Sequence, residues 1–251
     1  PCGEIILQSK QFCNLSEVVA RRKDTVESLM KKIRLATMLG TYQASLTNFP
    51  YLSKEWREHC EHERLLGVSV TGQWDSEAAR NPEILSRLKD AALAVNREYA
   101  KRLGIGESTC ITCVKPSGTV SQTVDCSSGM HPRHAPYYIR RIRIAATDAL
   151  FKMLRDQGVP YKPEVGQSVS SATTYVLEFP VKSPNDSLYK NDISALDQLE
   201  HWKMVKLNYT EHNPSVTISG GDDEWIEVGN WVYKNWDIVG GLSFLPRSDH
   251  V

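Results

Sequence analysis

The residues best suited to chemistry open the chain: Pro1-Cys2-Gly3-Glu4-Ile5-Ile6, then Phe12-Cys13-Asn14-Leu15-Ser16. One thiol stands two residues from a carboxylate, and a second thiol follows eleven positions later. A single short segment thus supplies two sulfur redox centres and a base. Gly3, lying between thiol and carboxylate, leaves space beside both and tolerates a tight loop. The competing reading takes Cys2 and Cys13 as small buried hydrophobes, a common fate of free cysteine.

A second constellation is Val114-Lys115-Pro116-Ser117-Gly118-Thr119-Val120-Ser121. An apolar strand that runs into a small-residue turn with two hydroxyls, and then into a helix start, gathers backbone N–H groups and side-chain donors around one point. That is an anion nest, with Pro116, Ser117, Gly118 and Thr119 as its candidate residues. Pro-Ser-Gly is also an ordinary turn, so the pattern needs context.

The remaining cysteines offer a rival. Cys110-x2-Cys113, followed by Cys126 and His131 with His134 close by, has acceptable spacing for tetrahedral zinc and would make the chain a zinc-binding module. Against this, Cys110 and Cys113 fall in a predicted strand, where positions i and i+3 face opposite ways, and the anion loop separates them from Cys126. His59-Cys60-Glu61-His62 lies among Glu55, Arg57, Glu58, Glu63 and Arg64 and reads as a solvated helix face. Arg140, Arg141 and Arg143 read as solvated or ion-paired.

The Pro-Cys-Gly-Glu-Ile string, Cys13 and the Lys-Pro-Ser-Gly-Thr loop together resemble the class II ribonucleotide reductases. His131-Pro132-Arg133-His134, Tyr137 to Arg141, Glu63 to Gly72 and His212-Asn213-Pro214-Ser215-Val216-Thr217 fit the same family, closest to its monomeric triphosphate-reducing members. The resemblance implies that Cys2 is a thiyl radical that abstracts a ribose hydrogen and that Glu4 is the base that deprotonates the 3'-hydroxyl. It implies that Cys13 is one half of the dithiol that delivers two electrons, and that Pro116 to Thr119 hold the substrate phosphates. The cofactor so implied is adenosylcobalamin. The implied partners are a ribonucleotide substrate, a thioredoxin-like dithiol reductant, an N-terminal half of the enzyme upstream of Pro1 and a nucleotide effector acting through it. The Asn that precedes the catalytic thiol in the family, and the second thiol of the redox pair, are expected upstream as well. A further alternative is an inactive structural half of a split reductase.

These residues need a scaffold, and the periodicity supplies one. Asn14 to Val19 reads as extended, and Asp24 or Thr25 caps a helix carried by Val26, Leu29, Met30, Ile33, Ala36 and Leu39, with Gly40 a plausible break. Ser53 to about Arg64 is helical, Leu65 to Val70 a strand, and Ile84 to Leu103 a long amphipathic helix ended by Gly104. Cys110 to Val114, Thr174 to Phe179 and Ser215 to Ser219 read as extended; Ala146 to Gln157, Ile193 to Leu207 and Glu224 to Lys234 as helices. Gly158 to Gly166 and Lys182 to Asn191 are the expected flexible stretches. The alternation predicts an α/β fold, and the resemblance makes it the later part of a ten-stranded α/β barrel, residues 1–251 forming one partial catalytic domain with the Cys2 segment as a central finger loop.

Composition bounds the setting. The 251 residues are 41% hydrophobic and 24% charged, ordinary globular usage, and thirty basic side chains balance thirty acidic ones. A chain-wide basic surface for nucleic acid or membrane is not supported. The absence of a bilayer-length apolar run and of signal-peptide features, with six cysteines in a chain of this size, leads to an expectation of reduced thiols and a cytoplasmic location.

Overall fold

A computed structural model describes residues 3–247. Cys2 therefore lies outside the described residues. In chain order the elements are β1 (Asn14–Val19), α1 (Val26–Ala44), α2 (Lys54–Glu63), β2 (Leu66–Thr71), α3 (Pro82–Leu103), α4 (Gly118–Thr123), β3 (Tyr137–Ala145), α5 (Ala149–Asp156), β4 (Tyr161–Pro163), β5 (Thr174–Lys182), α6 (Ala195–Asn208), β6 (Val216–Gly220), α7 (Trp225–Lys234) and β7 (Leu242–Pro246). They divide into two compact units, the smaller comprising His134–Ser187.

In the larger unit every strand pairing is parallel. β1 pairs with β2 over the register Asn14↔Leu66 to Val19↔Thr71. On the other side of β2, the extended segment after Cys110 bridges Val68 through Thr112, and Val114 bridges Pro214 at the start of β6, which pairs with β7. Five extended segments thus follow one another in chain order, two of the joins being single bridges. Helices occupy the connections, as parallel crossovers require. A ten-stranded closure is not seen among the described residues.

The helices form where the sequence punctuates them. Thr25 caps α1 in a capping box with Ser28; Asn81 accepts from the Ile84 amide ahead of Pro82 at the head of α3; Gly104 ends α3 at φ 66°. Gly40 does not interrupt α1, which continues through it to Ala44; a Cβ there would make only ordinary contact with Leu66, at 3.5 Å. The outward strand face presents Val18, Leu66, Val68, Val70 and Val114, which pack with Leu29, Ile33, Leu85, Leu88, Leu199, Trp202 and Val205 from the helices in one core. Burying each such side chain contributes roughly 1.5–3 kcal/mol.

The smaller unit is a three-stranded antiparallel sheet, in the order β3-β5-β4, with α5 against it. Phe151 of α5 stacks on Tyr175 at 4.6 Å and meets Tyr161 edge-on. Arg141 pairs with Glu178, and Arg143 with Glu164, so these arginines are ion-paired. No helix among the described residues is long and apolar enough to cross a membrane.

Candidate active site

Strand alternation decides which side chains meet. On β1, Cys13, Leu15 and Glu17 share the face opposite the core; the β1–β2 register gives that face Gly67 and Ser69, and the next segment adds Cys113. A side chain at Gly67 would have to displace Leu15. Its Cβ would lie 2.3 Å from Leu15 Cδ2, 3.1 Å from Cys113 Sγ and 3.4 Å from Ile5 Cδ1. The space left by the absent side chain is filled by Leu15, with Cys113 and Ile5 beside it.

Asn213, just before β6, grips that segment. Its side-chain amide donates to the Gly3 carbonyl at 3.0 Å and to the Gly241 carbonyl at 3.1 Å, and its backbone N–H donates to the Glu4 carbonyl at 3.1 Å. Its own carbonyl accepts from the Val114 amide at 3.5 Å, two residues before Pro116. One asparagine therefore ties the Gly3–Glu4 backbone to the strand that feeds the anion loop. Sequence reading quoted Asn213 only within a string; the signal that could have found it is a polar residue immediately ahead of a buried strand.

Glu4 is 3% exposed, and its Oε2 has no hydrogen-bond partner. A buried carboxylate oxygen without a donor is costly, and a ligand hydroxyl that donates to it would relieve that cost. Cys13 lies near it. Burial pushes the Cys13 thiol from 9.0 up to about 12, with the Glu4 carboxylate adding to the rise. Burial also pushes the fully buried Cys113 thiol well up, with Cys13 and then Glu4 contributing. Cys113 sits two strands from Cys13, roughly 10 Å at ordinary strand spacing. Beside Cys13 a cleft of about 260 Å³ opens among Phe12, Leu46, Phe49 and Cys60. Cys60 itself is buried and its sulfur accepts from the Phe12 amide at 3.3 Å, so α2 does not present a wholly solvated face.

The 115–119 loop folds as the sequence predicts, an extended segment turning into α4. Ser117 takes the left-handed conformation at φ 49°. Its hydroxyl donates to Glu17 Oε2 at 2.8 Å, while Ser69 donates to Glu17 Oε1 at 3.3 Å and accepts the Lys115 amide at 2.9 Å. Ser128 braces the loop from behind, its Oγ lying 2.7 Å from the Pro116 carbonyl and 2.9 Å from that of Ser117. Of the two hydroxyls counted in sequence, one is spent on Glu17. The Thr119 side chain and the backbone N–H groups of Gly118 and Thr119 remain for a ligand.

The zinc reading fails on geometry. His131 Nδ1 donates to the Ser128 carbonyl at 2.8 Å and Nε2 accepts from the Thr217 amide at 2.9 Å, leaving neither nitrogen for a metal. Cys126 is paired with Thr71. Among the described residues no group of three potential metal ligands converges.

No protein-family model matches the chain. It is 28% identical over 282 residues to an adenosylcobalamin-dependent ribonucleoside-triphosphate reductase of Lactobacillus gasseri, covering 98% of this chain and 37% of that protein. The enzyme of the same name from Euglena gracilis is 27% identical, with 98% of this chain and 34% of that protein covered. The crystal structure of a B12-dependent class II ribonucleotide reductase superposes on all of this chain and 39% of its own, with a TM-score of 0.80 and 26% identity. This chain is a homologue of the class II ribonucleotide reductases. The alpha subunit of a class Id ribonucleotide reductase from Actinobacillus ureae, at 18% identity and a TM-score of 0.60, shares the fold. The chain spans about 37% of the length of the first of these reductase relatives.

Proposed function

We propose that this chain is part of the catalytic barrel of an adenosylcobalamin-dependent ribonucleotide reductase, acting on ribonucleoside triphosphates as its relatives are named to do. The observation that carries the reading is the buried, half-unpartnered Glu4 carboxylate beside the Cys13 thiol, on the strand face that also leads to the 115–119 loop. Its five parallel segments are half of the ten that the barrel would have, and the Gly3–Glu4 stretch packs against their inner face as a finger would.

In this reading the Cys2 thiol, as a thiyl radical, takes the hydrogen from the ribose 3'-carbon. Glu4 accepts the 3'-hydroxyl proton through the oxygen that lacks a donor, which eases departure of the 2'-hydroxyl as water. Cys13, with a second thiol from outside the chain, is oxidised to a disulfide and supplies the two electrons and two protons that balance the reduction, and the Cys2 thiol returns its hydrogen to the 3'-carbon, which regenerates the thiyl radical. A thioredoxin-like dithiol then restores the pair. Gly118, Thr119 and the backbone around Pro116 and Ser117 hold the phosphates. Bound adenosylcobalamin supplies the one-electron oxidising chemistry that makes the Cys2 radical. The donor set present fits that role, offering a thiol next to a buried carboxylate and no Asp-x-His-x-x-Gly string for a histidine ligand to cobalt.

The test is conversion of CTP to its deoxynucleotide by the full-length protein carrying this segment, with a dithiol reductant. Product that requires adenosylcobalamin is expected. Product formed equally without it, or none under any reconstitution, contradicts the reading.

A further inference from the structure

Glu17 has no role in the chemistry above, yet it occupies the inner face of β1 between the thiol strand and the anion loop. Both of its oxygens are taken up by hydroxyl donors, Ser117 at 2.8 Å and Ser69 at 3.3 Å. Ser69 in turn accepts the Lys115 amide at 2.9 Å. The carboxylate therefore cross-links β1 and β2 to the loop at Lys115 and Ser117. Ser117 sits in a left-handed conformation that residues other than glycine rarely adopt, and its hydroxyl bond to Glu17 is an anchor that holds it there. The single hydroxyl proton of Ser117 goes to Glu17 and is not available to a phosphate.

We infer that Glu17 is the positioning residue of the phosphate loop: it acts through Ser117, fixing the turn so that the Gly118 and Thr119 donors face the nucleotide phosphates. This rests on the proposed reading of residues 116–119 as the substrate-phosphate site.

The experiment measures binding of CTP and of inorganic tripolyphosphate to the full-length protein by calorimetry. Glu17→Ala and Ser117→Ala are each expected to weaken both probes about tenfold, the loss from one charge-assisted bond. The double variant should be no weaker than the weaker single one, because the two residues act as one unit. Glu17→Gln keeps an acceptor for Ser117 and should restore affinity to within about threefold. Multiplying losses in the double variant, failure of Glu17→Gln to rescue, or a loss for CTP without one for tripolyphosphate each overturn the inference. Should Glu17→Ala fail to fold, Ser117→Ala and Glu17→Gln decide the matter: unchanged affinity in Ser117→Ala overturns it. Thr119→Val separates the two levels. If Thr119→Val weakens binding while the Glu17 variants do not, the inference falls and the loop assignment stands; if none of them changes affinity, both fall.

Discussion

The surroundings of Cys13 keep its thiol protonated: burial pushes it up to about 12 and the Glu4 carboxylate reinforces the shift. A half-buried neutral thiol near a carboxylate suits a sulfur that must give up hydrogen on demand and stay inert otherwise. The shift predicts slow alkylation. At pH 7.5 the thiolate fraction falls roughly a hundredfold to a thousandfold below that of an unperturbed cysteine, so Cys13 should react with iodoacetamide more slowly by a comparable factor. Its rate should still be climbing above pH 9, where an exposed cysteine levels off. Site-resolved mass spectrometry of the folded protein measures this; a Cys13 rate like that of a free thiol at neutral pH would contradict the raised thiol pKa. Further along the chain, His131 shows the same dependence on surroundings: burial lowers its pKa against the opposing Ser128 bond, and its two hydrogen bonds remove it from metal chemistry.

At the scale of elements, the 115–119 loop is shaped by what lies behind it. Gly129 stands at φ 59°, and a Cβ there would lie 2.4 Å from the Lys115 carbonyl oxygen, a backbone atom that cannot swing aside. Gly129→Ala should therefore destabilise the protein by about 1–3 kcal/mol and weaken nucleotide binding, read from urea denaturation and calorimetry. Unchanged stability would mean that the loop has slack the packing does not suggest. The elements themselves were largely legible. The Thr25 cap, the Asn14 to Val19 strand, the long helix ended by Gly104 and the extended stretch after Cys110 stand where the residue pattern puts them. What escaped was non-local. Tyr137–Ala145 forms β3, but Arg140, Arg141 and Arg143 blur its two-residue period, and only pairing with β5 makes sense of it. β4 falls inside a stretch expected to be flexible, for the same reason. At the candidate site, Cys13, Glu4 and the loop stand out in the sequence as candidates by residue type and spacing. Glu17 and Asn213 do not, because their roles are defined by hydrogen bonds to residues about a hundred and two hundred positions away.

At the scale of the molecule, the five parallel segments of the larger unit end in β1 on one side and β7 on the other, and neither outer edge pairs with another strand among the described residues. Exposed strand edges of this kind are templates for further strands. Relatives whose length this chain covers by little more than a third have the chain from which such strands could come. The central claim, that the Cys2–Glu4 segment abstracts hydrogen from ribose, is tested most directly by Cys2→Ser in the full-length protein carrying this segment. A serine O–H bond is much stronger than a thiol S–H bond, so the variant cannot carry the radical while its fold and nucleotide affinity are kept. With adenosylcobalamin and a dithiol, the account predicts deoxynucleotide from the parent protein and none from Cys2→Ser; appreciable turnover by Cys2→Ser would contradict it.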